Sequence, residues 1–160
     1  MTEVELLSQY GGGKQVPNRI IIHSMGEYIF EDDNPIPASQ FLHNKGFSAH
    51  ILVSPTGSLI RLRMDDQRAH HAKGYNKDSL GVEFLVEGQH SYATFKERIK
   101  ENWLTKEQFQ IGVSLLKTWC EKWNIQSILR HSDVSPERKI DPGSGFPFEK
   151  MVSICHINTL

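Results

Sequence analysis

Three residues near the C-terminus can do chemistry together: His131, Lys139 and Asp141, in "RHSDVSPERKIDPG" (130–143). A fourth, His23, ends the apolar run "RIIIHS" (19–24) far upstream. Two histidines and a carboxylate make a three-ligand set that leaves a fourth tetrahedral position for water, the arrangement of catalytic rather than structural zinc. Amide hydrolysis also needs a proton shuttle and a stabiliser for the oxyanion. Glu83, in "LGVEF", is the candidate base, and Lys139 the candidate cation. Read alone, each has a plainer explanation: a strand glutamate facing solvent, and a solvated loop lysine.

The elements that must position these groups follow from pattern. "RIIIHS" reads as a central strand buried on both faces, with His23 at its end. Residues 34–46 read as a short helix opened by Pro37 and ended by Gly46. "FSAHILVSPTGSLIRL" (47–62) reads as a hairpin. Residues 65–78 are polar and aperiodic, a long loop of the kind that tends to be functional. "SLGVEFLVEG" (79–88) is a further strand. Thr105 and Gln108 form a capping box for a helix over 104–124, where Phe109, Gly112, Val113, Leu116, Trp119, Cys120 and Trp123 make a buried stripe. "IQSILRH" (125–131) returns as a strand that delivers His131. Ser135-Pro136-Glu137 predicts one helical turn, after which Asp141 is free to turn back toward His131. A closing helix is expected over 146–157, with Pro147 at its first position. The order predicts one α/β domain over 1–160, a central mixed sheet flanked by helices with the site in a cleft at strand ends, and no separate wall-binding domain.

Bulk properties bound the function. The chain has 160 residues, 38% of them apolar, and a net charge of −1, with no basic run to hold nucleic acid. Cys120 and Cys155 lie far apart with no CxxC spacing, which argues against a disulfide scaffold or a cysteine-rich zinc site. The N-terminus is acidic where a signal peptide is basic, and no apolar stretch approaches about 18 residues. A cytoplasmic monomer without membrane insertion is expected.

Two stretches, "HAKGYNKDSLGVEF" (71–84) and "RHSDVSPERKIDPG", resemble the type-2 N-acetylmuramoyl-L-alanine amidases. That family includes phage endolysins, cytosolic recycling amidases and peptidoglycan-recognition proteins. The resemblance runs from about residue 18 to 152. It implies one Zn²⁺ per chain and cleavage of the amide between N-acetylmuramic acid and L-alanine, with peptidoglycan or a muropeptide as substrate. His23, His131 and Asp141 match the family's zinc ligands, where some phage members carry cysteine at the third. Lys139 matches the lysine that stabilises the transition state. Some phage enzymes use a tyrosine base at the position held here by Ala49, whereas the recycling enzymes use a glutamate, here Glu83. His71 matches a cleft histidine that touches substrate, and Tyr75 and Asn76 are placed beside it. His50 is expected in the core or behind a ligand; His43, His70, His90 and His156 are expected at the surface. An endolysin, a recycling amidase and a non-catalytic recognition module all remain open, as does a zinc hydrolase of another amide on the same fold.

Overall fold

The computed structural model describes residues 3–155. The strands are β1 (Glu3–Glu5), β2 (Arg19–Glu31), β3 (Asn34–Pro37), β4 (Ile51–Val53), β5 (Leu59–Arg61), β6 (Ser79–His90) and β7 (Ser127–Arg130). The helices are α1 (Ala38–Lys45), α2 (Tyr92–Arg98), α3 (Lys106–Lys122), α4 (His131–Val134) and α5 (Phe148–Ile154). The seven strands form one mixed sheet in the order β1-β5-β4-β6-β2-β3, with β7 also on β2. No helix of the described residues is long and apolar enough to cross a membrane.

Side-chain alternation divides this sheet into two faces. Ile20, Ile22, Ile51, Val53, Leu80, Val82, Phe84 and Ile128 point to one face, where Leu115, Leu116 and Trp119 of α3 and Met151 and Val152 of α5 cover them. Gly112 lets α3 approach closely, since a Cβ there would lie 2.9 Å from the Phe84 ring. The other face carries Leu52 and Leu85, packed under Ala38 and Leu42 of α1. His23 and Glu83 share this second face, one residue out of step with the first.

β2 extends well beyond the expected 19–24. It runs on to Glu31 and folds back on β3 through Asp32 and Asp33, both at positive φ (51° and 64°). Positive φ at both central residues is what a type I′ hairpin turn requires, and Asp tolerates it better than most residues. One edge of β2 therefore pairs with β7 at Arg19–Ile22 and with β3 at Tyr28–Glu31, and His23–Glu27 between them have no partner strand on that edge among the described residues. The 34–46 segment is half strand: helix starts only at Ala38, and Gly46 closes it at φ 75° as expected. α2 was not predicted; Ser91 and Thr94 cap it reciprocally. α3 has the expected Thr105–Gln108 capping box, and the Gln108 amide reaches into the sheet to the carbonyls of Val53 and Leu85. Pro147 sits at the N-cap of α5 rather than at its first position. The expected continuation to 157 falls partly outside the described residues, as does His156.

Candidate active site

The register of three parallel strands assembles the site. β2 pairs with β6 so that His23 lies opposite Glu83. On its other side β2 pairs with β7 up to Ile22↔Arg130, which leaves His131 one step further along, beside His23. Of the three, only His131 follows the carboxyl end of its strand, β7; His23 and Glu83 lie within β2 and β6, not at strand ends as expected, because the β2–β6 ladder runs on to Ile29↔His90. His131 is the first residue of α4 rather than the last of a strand; the Asp133 carboxylate accepts the Arg130 N–H and turns the chain sharply there.

The segment after α4 returns Asp141 as the spacing suggested. The Ser135 carbonyl accepts the N–H groups of Arg138 and Lys139, making a tight turn. Ser132 then donates its N–H to the Asp141 carbonyl at 3.0 Å, which ties the two ends together. Asp141 projects its carboxylate into the unpaired stretch of β2, and its Oδ2 accepts the free Ser24 N–H at 3.3 Å.

The result is a compact donor triangle. His23 Nδ1 and His131 Nδ1 are 2.9 Å apart, His131 Nδ1 and Asp141 Oδ2 3.2 Å, and His23 Nδ1 and Asp141 Oδ2 3.5 Å. A tetrahedral metal with ligands at about 2.0 Å has an edge of about 3.3 Å. Two imidazole nitrogens and one carboxylate oxygen, all buried, thus fit a divalent metal in both chemistry and spacing.

The electrostatics agree. Burial holds the His23 ring neutral, lowering its pKa to about 4 against the pull of the Asp141 carboxylate, which would accept a hydrogen bond from the protonated ring. Burial alone would raise Asp141, but its bonds to His131 and His23 win and hold it below the usual carboxylate range. Neutral imidazole and ionised carboxylate are the forms that ligate. Glu83 Oε2 lies 3.9 Å from His23 Nδ1, and its Oε1 is buried without a partner among the described residues. Burial, then the charge of Asp141, push the Glu83 pKa well above the ordinary range, while Lys139 pulls it down.

These groups line a cleft of about 660 Å³ together with Lys139, Arg138, Phe41 and Phe47. Phe47, Tyr92 and Ile140 are exposed at its rim. His71 and Asn76 also line it. Asn76 Oδ1 accepts the N–H groups of His71 and Ala72 and so shapes the loop. Tyr75 is not among the cleft-lining residues; the Arg19 guanidinium lies 5.1 Å above its ring.

Among the other histidines, His43 and His70 are exposed as expected. His90 is a correction: it is buried against Gly26, its ring near the Glu87 carbonyl and Thr94 hydroxyl. The polar run "EGQH" hid that β6 continues to it. His50 is fully buried. Its Nδ1 accepts the Gly81 N–H and its Nε2 reaches the Gln67 carbonyl at 2.7 Å, so it braces the loop rather than joining the metal triangle. Three contributors gave no sequence signal of their own: Ser24, whose N–H is freed by the sheet gap, and Ser79 and Gly81, which surround His71.

The fold has close counterparts. It is similar to the endolysin N-acetylmuramoyl-L-alanine amidase LysCS of Clostridium intestinale, at TM-score 0.74 and 23% identity over 98% of this chain and 97% of that one. It is also similar to an AmpD derivative, at 0.70 and 20% over 96% and 93%. A third likeness is to Escherichia coli AmiD, solved with anhydro-N-acetylmuramic acid-L-Ala-D-gamma-Glu-L-Lys, at 0.68 and 20% over 95% and 62%. At such identities these show a shared fold. No curated protein matches the chain. The model of one family, N-acetylmuramoyl-L-alanine amidase, matches residues 13–144. That span holds the donor triangle, Glu83 and Lys139, and the chain belongs to the N-acetylmuramoyl-L-alanine amidase family.

Proposed function

We propose that this protein is a zinc-dependent amidase that cuts peptidoglycan between N-acetylmuramic acid and L-alanine, acting as an endolysin. The observation that carries the reading is the buried His23–His131–Asp141 triangle beside an unpartnered Glu83 carboxylate oxygen in a cleft. Zinc, when bound by those three residues, supplies Lewis acidity that polarises the scissile carbonyl and acidifies a water.

The chain's own residues do the rest. Glu83 takes the proton from the attacking water and later returns it to the departing alanine nitrogen. Its raised pKa suits both directions of transfer. Lys139, which lines the cleft, supplies the positive charge for the carbonyl oxygen as it becomes an oxyanion. Asn76 commits its carbonyl oxygen to the loop, which leaves its NH₂ to face a sugar or peptide carbonyl. The exposed apolar rim of Phe47, Tyr92 and Ile140 gives a surface for sugar rings of an extended strand, and this, with the "HAKGYN" loop, favours polymer over small soluble fragments.

Elemental analysis paired with lysis of purified sacculi, for wild type and Asp141→Ala, tests the reading. One zinc per chain and lysis in the wild type, both lost in the variant, are expected. Turnover of soluble anhydromuropeptide without lysis would move the role to wall recycling. Zinc without turnover of either would leave a recognition module.

A further inference from the structure

We infer that Ser79 and His71 are positioning residues that fix which nitrogen of His23 is offered to the metal, so that one backbone carbonyl, that of Tyr75, sets the state of the ligand. The inference rests on the zinc-site reading above and concerns residues outside the ligand set.

Each proton in the chain is forced by its neighbour. Ser79 Oγ lies 2.6 Å from the Tyr75 carbonyl oxygen, which can only accept, so the hydroxyl proton points there. Ser79 Oγ also lies 2.9 Å from His71 Nε2. Having spent its one proton, the hydroxyl accepts, and His71 must carry its hydrogen on Nε2. Its Nδ1 is then a lone pair, 2.9 Å from His23 Nε2. His23 must donate from Nε2, and this leaves Nδ1, the atom facing His131 and Asp141, as a lone pair aimed at the metal position. The opposite tautomer of His23 would put a proton where the metal belongs. It would also set two lone pairs, on His23 Nε2 and His71 Nδ1, against each other.

The surroundings hold this chain of bonds in place. Tyr75 N–H donates to the Ala72 carbonyl at 2.9 Å, and Asn76 Oδ1 clamps the N–H groups of His71 and Ala72. The His71 ring lies against Gly81, where a Cβ would sit 2.4 Å from its Nδ1, so only glycine admits the ring. Both nitrogens of His71 are committed within the protein. The role follows from those two bonds rather than from contact with substrate.

The test uses two readouts that do not depend on turnover. Long-range ¹H–¹⁵N correlation spectra of the zinc-free protein near neutral pH report the tautomers directly. His23 and His71 are both expected as Nε2–H in the wild type, and mixed in Ser79→Ala. Competition with a chromophoric chelator gives the zinc dissociation constant. Ser79→Ala and His71→Phe are expected to weaken it by about 10–100-fold. Ser79→Thr, which keeps the hydroxyl, and His71→Gln, whose amide oxygen can accept the His23 proton, are expected to retain most of the affinity. Wild-type tautomers and unchanged zinc affinity in Ser79→Ala would overturn the inference. Equal loss in the hydroxyl-keeping and hydroxyl-lacking variants would overturn it too, by reducing Ser79 to packing. A wild type that binds no zinc would instead overturn the zinc-site reading, and the tautomers of the zinc-free protein would still decide the hydrogen-bond chain.

Discussion

Glu83→Gln is expected to move stability and activity in opposite directions. The substitution keeps the size of the side chain, so the β6 packing around it is preserved. In the zinc-free protein the Glu83 carboxyl is buried, its Oε1 lacks a partner, and the Asp141 charge stands nearby. Its folded pKa is therefore raised, and the folded chain holds that proton more tightly than the unfolded chain does. Stability from this group is present at low pH and is lost as pH rises from the unfolded value through the folded one. Glutamine carries no charge to bury. The zinc-free variant should therefore be more stable than wild type near neutral pH, and the difference should shrink as pH falls and the wild-type carboxyl takes up its proton. Turnover should fall by roughly 10²–10⁴, the contribution of a general base, or about 2.7–5.4 kcal/mol in the barrier. Urea unfolding of chelator-treated protein measures the first quantity and initial rates on a muropeptide the second, while zinc content checks that the metal stays bound. A variant that is less stable than wild type yet turns over at a near-normal rate would sink the argument, because Glu83 would then be a structural residue.

Other perturbations probe the scaffold. Burial lowers the His50 pKa from 6.5 to about 4, so the zinc-free protein should lose about 3 kcal/mol through this residue as pH falls from 6.5 to 4; His50→Asn should flatten that window in pH-dependent urea melts. Asp65 accepts bonds from the Trp119 and Trp123 indoles and the Arg61 guanidinium. Asp65→Ala strands those donors and should cost about 3–5 kcal/mol by chemical denaturation, and a loss under 1 kcal/mol would show that water replaces the carboxylate. Gly112→Ala drives a methyl to 2.9 Å from the Phe84 ring and 3.0 Å from the Met151 methyl, and should destabilise by about 1–3 kcal/mol. An unchanged unfolding midpoint would mean that α3 shifts freely.

Local signals were readable in the sequence, and long-range ones only in part. The capping box of α3, the start of β2 and the hairpin of β4 and β5 rest on short-range patterns, and each formed. The return of Asp141 to His131 was also readable, because both ends lie within one turn. The extension of β2 was not, because residues 25–31 mix polar and apolar types and their strand is completed by β3, itself written in prolines. α2 uses Ser91 and Thr94 in place of the commoner Glu or Gln at the third position, and β1 is a three-residue edge strand with no exclusive pattern. Glu83 alternates visibly with Val82 and Phe84, but only the pairing with β2 says which face holds His23. The role of His71 lies in bonds at both ring nitrogens, one to a ligand encoded 48 positions away.

The β2–β6 ladder also limits how the gene can change length. Adding or removing one residue in β6 ahead of Glu83 exchanges the two faces of the strand from that point. Val82 or Phe84 would then face the cleft, and the carboxylate would enter the apolar layer formed by Ile20, Ile22 and Ile128. Single-residue insertions there should be lost under selection, while changes of two keep the alternation. Insertions at the tip of the long loop before β6, around exposed Lys73 and Gly74, leave the ladder alone. Variation in length among relatives should therefore collect in that loop, at the cleft rim, where it alters what the enzyme grips without disturbing what it cuts with.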